Sequence, residues 1–136
     1  NFMLCGPTQQ GTLAAARRAV EAIAPMQDVI TPFPGGVVRS GSKVGSRYKG
    51  MFASTNDAFC PTLRSRVETQ LPDTAGCVYE IVINGLSRDA IARAMVTGIQ
   101  AACSRPQDLA AVSAGNYGGR LGKFHFKLHE LMGGLL

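Results

Sequence analysis

Among the side chains of this sequence that could do chemistry, Glu80 is set apart by its surroundings. It is a lone carboxylate inside the run Cys77-Val-Tyr-Glu-Ile-Val-Ile83, whose other members are apolar or aromatic. Strand alternation places Glu80 on one face with Val78 and Val82, and Tyr79, Ile81 and Ile83 on the other. If helices cover the Tyr79 face, two outcomes are open for the carboxyl. In a lobe standing alone it is solvated on the uncovered face. With a second lobe or subunit closed over that face it is desolvated and becomes a candidate proton donor or acceptor.

Other candidate chemistries fail on spacing. The run from Gly36 to Gly41, Ser42 and Lys43 has the outline of a phosphate loop, but Ser42 stands where that motif requires Lys, so nucleotide hydrolysis is excluded. His125 and His129, read on a strand, lie about 13 Å apart, too far to share one metal ion. No GxSxG turn is present and both His fall in one segment, which argues against acyl-enzyme chemistry. Cys5, Cys60, Cys77 and Cys103 are scattered without a CxxC pair, so they read as reduced thiols of a cytosolic protein. Cys5, Cys77 and Cys103 suit small buried hydrophobes, while Cys60 belongs to a loop motif.

Fourteen Lys and Arg against nine Asp and Glu leave a net charge of +5. The cations form no stripe interleaved with aromatics, and a sheet face made by Val78, Glu80 and Val82 offers no base-stacking platform, so no nucleic-acid partner is expected. One local cluster, Arg39, Lys43, Arg47 and Lys49, is either a solvated loop or an attractor of an anionic ligand. No run of about 18 apolar residues is present to cross a bilayer, so no membrane partner is expected either.

The elements that must position Glu80 follow from periodicity. The length of 136 residues fits one domain. Phe2 to Cys5 is a short strand ended by Gly6-Pro7, and the strand-like start without an initiator Met reads as a piece cut from a longer protein. Thr8 is an N-cap candidate, and Leu13, Ala16, Val20 and Ile23 form the apolar stripe of a helix ended by Pro25. Residues 28–31 and 36–40 are candidate strands, and residues 41–76 are mostly loop. The strand at Cys77 leads through a turn at Asn84-Gly85 to a helix capped by Ser87, with Ile91, Met95, Gly98, Ile99 and Ala102 on one face. Residues 109–113 and 123–129 read as strands, the latter with Phe124, Phe126 and Leu128 on one side and His125, Lys127 and His129 on the other. The order predicts an α+β, ferredoxin-like βαββαβ antiparallel sheet with both helices on one face and long loop insertions.

Six blocks carry a family resemblance: Phe33-Pro-Gly-Gly36, Ser42-Lys-Val-Gly-Ser46, Ser54-Thr-Asn-Asp-Ala-Phe-Cys-Pro61, Cys77-Val-Tyr-Glu-Ile-Val-Ile-Asn-Gly-Leu86, Gly98-Ile-Gln-Ala-Ala-Cys103 and Ser113-Ala-Gly-Asn-Tyr-Gly-Gly-Arg-Leu-Gly122. Together they resemble formylmethanofuran:tetrahydromethanopterin formyltransferase over nearly the whole chain. The resemblance implies the C-terminal, distal lobe of a two-lobe enzyme, with residues 1–136 as that single lobe, the N-terminal lobe absent and the lobe inactive alone. It implies direct formyl transfer in a ternary complex, with methanofuran and tetrahydromethanopterin as substrates and no tightly bound cofactor or metal. Glu80 is then the catalytic carboxyl, and Ser42, Lys43, Gly45, Ser54, Thr55, Asn56 and Asp57 shape the carrier site, each of these polar residues alternatively serving only as a turn or cap. Asn116 to Gly119 is a turn or an edge packed at a subunit contact, and the apolar tail from Leu131 a further buried surface. Expected partners are its own N-terminal lobe, further copies in a dimer or tetramer and, given the basic balance, the subunits of a bacterial formyltransferase/hydrolase complex. A noncatalytic ligand-binding or assembly module of the same fold is the alternative.

Overall fold

The computed structural model describes residues 1–41, 44–51, 55–115 and 122–133. Strand β1 (Phe2–Gly6) is buried along its whole length and lies between two neighbours. On one side it pairs antiparallel with β4 (Cys77–Ile81), and on the other with β6 (Ala111–Ala114). The two-residue strand β3 (Val38–Arg39) adds antiparallel to the outer edge of β4, giving the order β3-β4-β1-β6. The class is therefore α+β with an antiparallel sheet, as the sequence leads one to expect.

Helix α1 (Gln9–Ile23) starts where the sequence places it, because the Thr8 hydroxyl accepts the Gly11 backbone N–H at 3.2 Å. Helix α2 (Arg88–Ala102) starts on Ser87, whose hydroxyl accepts from Ala90 at 3.1 Å. Both helices cover the sheet face that carries Phe2, Leu4 and Ile81. The buried stripe of α1 runs through Thr12, Ala15, Ala16, Ala19 and Ile23, so it is turned from the expected one: Leu13 and Val20 are only half-buried. Small side chains take the centre because the helices approach closely, a Cβ at Gly98 lying 2.7 Å from Ile23 Cδ1. The C-terminal carbonyls of α2 are met by Arg18 of α1, which donates to the Ala102 oxygen and to Asp108, each at 2.9 Å.

The opposite face of the sheet is not left open. Residues 56–75 fold back over it, and Phe59, Leu71 and Ala75 pack on Met3, Cys5 and Val78. Arg64 holds this covering segment closed by donating to the carbonyls of Leu71 at 3.5 Å, of Pro72 at 3.0 Å and of Ala75.

Two expected elements differ. Asn84-Gly85 is not a free turn but a short strand, β5 (Asn84–Gly85), paired with β2 (Val29–Ile30) in a separate two-stranded ribbon. Residues 123–127 form no ladder, and a short helix, α3 (Leu128–Met132), follows them. Their alternation survives in extended chain: Phe126 is buried among the helices while His125 and Lys127 are exposed. His125 and His129 therefore do not share a strand. Asn116 to Gly119 and the last three residues of the apolar tail lie outside the described residues.

Candidate active site

Register in the sheet fixes where Glu80 stands. It lies opposite Met3 of β1 and Val38 of β3, on the face away from the helices. Only 7% of it is exposed. The sequence left its burial to a second lobe, whereas the chain itself supplies the cover. Asn56, also buried, donates from Nδ2 to Glu80 Oε1 at 3.2 Å, and Asn1 Nδ2 donates to the same oxygen. A buried carboxylate without donors would be costly, and two amides meet that need here. Asn56 is held in turn by the 3-10 turn it introduces, its carbonyl accepting from the Phe59 N–H at 3.1 Å. Gly115, just past β6, closes against both amides: a Cβ there would lie 2.5 Å from Asn1 Nδ2 and 2.9 Å from Asn56 Nδ2.

Glu80 opens onto a cleft of ≈ 710 Å³. Phe33, Phe124 and Phe126 give it apolar walls, and Arg39 and Lys123 add positive charge. Phe33, Arg39 and Lys123 are exposed at its rim, while Phe126 is buried. The Lys123 ammonium lies over the Phe124 ring, 5.5 Å from its centroid. An apolar cleft with a convergent carboxyl and a cationic mouth fits an anionic organic ligand.

Of the residues expected here, Asn56 meets Glu80 directly and Thr55 lines the cleft. Thr55 also presses on Gly41, where a Cβ would lie 2.1 Å from the threonine Cβ. Asp57 lies in the 3-10 turn, accepting from Cys60 N at 3.0 Å, and Gly45 sits in open space with φ +78°. Neither is part of the cleft wall. Ser42, Lys43 and Ser54 lie outside the described residues. Asn1, Gly115 and Lys123 were not singled out, since nothing in local spacing links them to position 80. Among the described residues no three His, Cys, Asp or Glu side chains are grouped to hold a metal ion. The buried Cys5 thiol is pushed up to about 11, by burial first and by Cys77 second, so at neutral pH it is no nucleophile.

Residues 1–131 match the family model described as FTR, proximal lobe. The chain belongs to the FTR proximal-lobe family. The motifs imply the distal lobe, whereas the matched model is that of the proximal lobe. The FTR chain is 55% identical to the formylmethanofuran--tetrahydromethanopterin formyltransferase of Rhodopirellula baltica, across 97% of this chain and 40% of that protein. In structure it is similar to the formyltransferase of Methanosarcina barkeri, with a TM-score of 0.81 and 50% identity over 96% of this chain and 44% of the other. It is equally similar to a chain of the formyltransferase/hydrolase complex of Methylorubrum extorquens solved with methylofuran: TM-score 0.81, 49% identity, 96% of this chain and 43% of that one. The FTR lobe thus spans less than half the length of the proteins it matches.

Proposed function

We propose that this lobe supplies the reacting carboxyl and one wall of the substrate cleft of a formyltransferase, which passes a formyl group from formylmethanofuran to N5 of tetrahydromethanopterin in one-carbon metabolism. The observation that carries the reading is Glu80, buried, hydrogen-bonded and open to a cleft, in a chain 55% identical to a formyltransferase. Attack of N5 on the formyl carbon forms a tetrahedral intermediate with oxyanion character, and the C–N bond to the donor amine then breaks. A proton leaves N5 and one arrives at the departing amine. Glu80 moves that proton, or donates to the oxyanion, while the apolar walls keep water from the formyl carbon.

Substrate choice is consistent with the cleft. Arg39 and Lys123 at the rim meet anionic groups of the carriers; Thr55 in the cleft wall and Ser42, Lys43 and Ser54 are proposed as further carrier contacts, while Asp57 and Gly45 shape the loop and Asn56 serves Glu80. No tightly bound cofactor takes part. The order β3-β4-β1-β6 with two helices on one face supports reading the lobe as a ferredoxin-like split βαβ unit. The lobe works in the cytoplasm beside the other lobe of its own polypeptide, in a dimer or tetramer. Hydrolase subunits are further partners, in keeping with the Methylorubrum extorquens complex.

Because Phe33, Arg39 and Lys123 at the rim are exposed, the lobe alone leaves the site wet. A formyl-transfer assay on a polypeptide of the relatives' length is expected to show turnover, and this lobe alone only background. No transfer by the longer polypeptide would replace the reading with a noncatalytic ligand-binding or assembly module.

A further inference from the structure

We infer that Asn56 and Asn1 are positioning residues that hold Oε1 of Glu80, so that Oε2 alone exchanges the proton with the reacting groups. The inference rests on the formyl-transfer reading and deepens it. A carboxyl group turns readily about its last bond, and its oxygens are equivalent until neighbours distinguish them. Among the described residues, both hydrogen bonds to Glu80 end on Oε1, one from Asn56 at 3.2 Å and one from Asn1. An amide NH2 only donates, so Oε1 already accepts two hydrogen bonds, and any proton the carboxyl carries sits on Oε2. One atom then serves both halves of the transfer. Oε2 takes the proton that N5 loses as it bonds to the formyl carbon, and returns it to the amine nitrogen as the C–N bond breaks. Glu80 ends as it began.

A second observation concerns the space around the amides. Gly115 approaches both so closely that a Cβ would meet Asn1 Nδ2 at 2.5 Å and Asn56 Nδ2 at 2.9 Å. The two donors are therefore confined from behind by backbone rather than by a movable side chain. Displacing them by a fraction of an ångström turns the carboxyl and misplaces Oε2.

The test uses a formyltransferase of the relatives' length and compares Asn56→Ala, Gly115→Ala, Glu80→Gln and the double variant Asn56→Ala/Glu80→Gln. Misplacement of a reacting group by about 1 Å costs up to roughly 10²-fold, so Asn56→Ala is expected to lower kcat about 10- to 100-fold with KM within about twofold. Gly115→Ala is expected to give the same kcat-selective loss. In the Glu80→Gln background, adding Asn56→Ala is expected to change kcat by less than about twofold, because Asn56 acts only through Glu80. The inference is overturned by native kcat in Asn56→Ala, by a rise in KM alone, or by losses that multiply in the double variant. Near-native turnover of Glu80→Gln overturns the formyl-transfer role of Glu80 itself, a separate and distinguishable result. If Asn56→Ala does not fold, Asn56→Leu, which keeps the size of the side chain and removes the donor, takes its place. Misfolding of every variant at 56 and 115 makes the cluster a packing feature and also overturns the inference.

Discussion

Glu80 and Cys5 share the sheet face away from the helices, and each is buried by different means. Glu80 is met by two amide donors, whereas Cys5 sits among Met3, Phe59, Leu71, Ala75 and Val78, which offer its thiolate nothing. Burial, and secondly Cys77, push that thiol from the ordinary 9.0 to about 11. A group whose value is raised on folding contributes stability that is intact below the unfolded value and lost as pH climbs to the folded one. The protein is therefore expected to lose about 2–3 kcal/mol between pH 9 and 11, relative to a Cys5→Ala variant. Urea denaturation of the two proteins across that window checks it; parallel pH curves would refute the burial of Cys5. At this scale the sequence showed half of the site. A lone charge in an apolar run is conspicuous, so Glu80 was legible as an anomaly. Asn56 was legible only as a carrier-site residue and Asn1 not at all, because they lie 24 and 79 residues away in the chain, and only the fold brings them to Glu80.

Helices and strands were legible where their signals are local. Thr8 and Ser87 announce their helices because a cap acts within three residues. Residues 123–129 read as a strand because alternation is all that a sequence can show, and alternation fits extended chain packed on one side as well as a paired ladder. Asn84-Gly85 reads as a turn for the same reason, its partner Val29–Ile30 being remote. The turned stripe of α1 reflects close helix contact, which favours alanine over the larger residues that periodicity selects. Two glycines separate contact with backbone from contact with side chains. At Gly6 a Cβ would lie 2.1 Å from Thr12 Oγ1 and 2.5 Å from the Asp108 carbonyl oxygen, with backbone that cannot yield. At Gly98 a Cβ would meet only side chains, Ile23 Cδ1 at 2.7 Å and Phe2 Cζ at 3.0 Å, which can shift slightly, and alanine regains about 1 kcal/mol of helix propensity. Gly6→Ala is expected to cost about 3 kcal/mol and Gly98→Ala less than about 1 kcal/mol, read from denaturation midpoints. Equal costs would contradict this packing.

Across the whole molecule, the cleft draws on Asn1, residues 33–41, Thr55, β4 and β5, Gly115 and residues 122–126. It exists only once the chain has folded. The sequence named its carboxylate, part of its loop and, through the Arg39 cluster, one cation of its rim, and the six motif blocks named the family; the cover over the second sheet face and Lys123 at the rim came from long-range packing. On the proposed two-lobe reading, a second lobe need not bury Glu80 and would only close the rim at Phe33, Arg39 and Lys123. The most direct measurement is kcat for formyl transfer by Glu80→Gln in a polypeptide of the relatives' length. Gln keeps the size of the side chain and removes the proton exchange, so kcat is expected to fall about 10²- to 10⁴-fold with the melting temperature nearly unchanged. Turnover close to that of the unaltered protein would contradict the assignment of the reaction to this carboxyl.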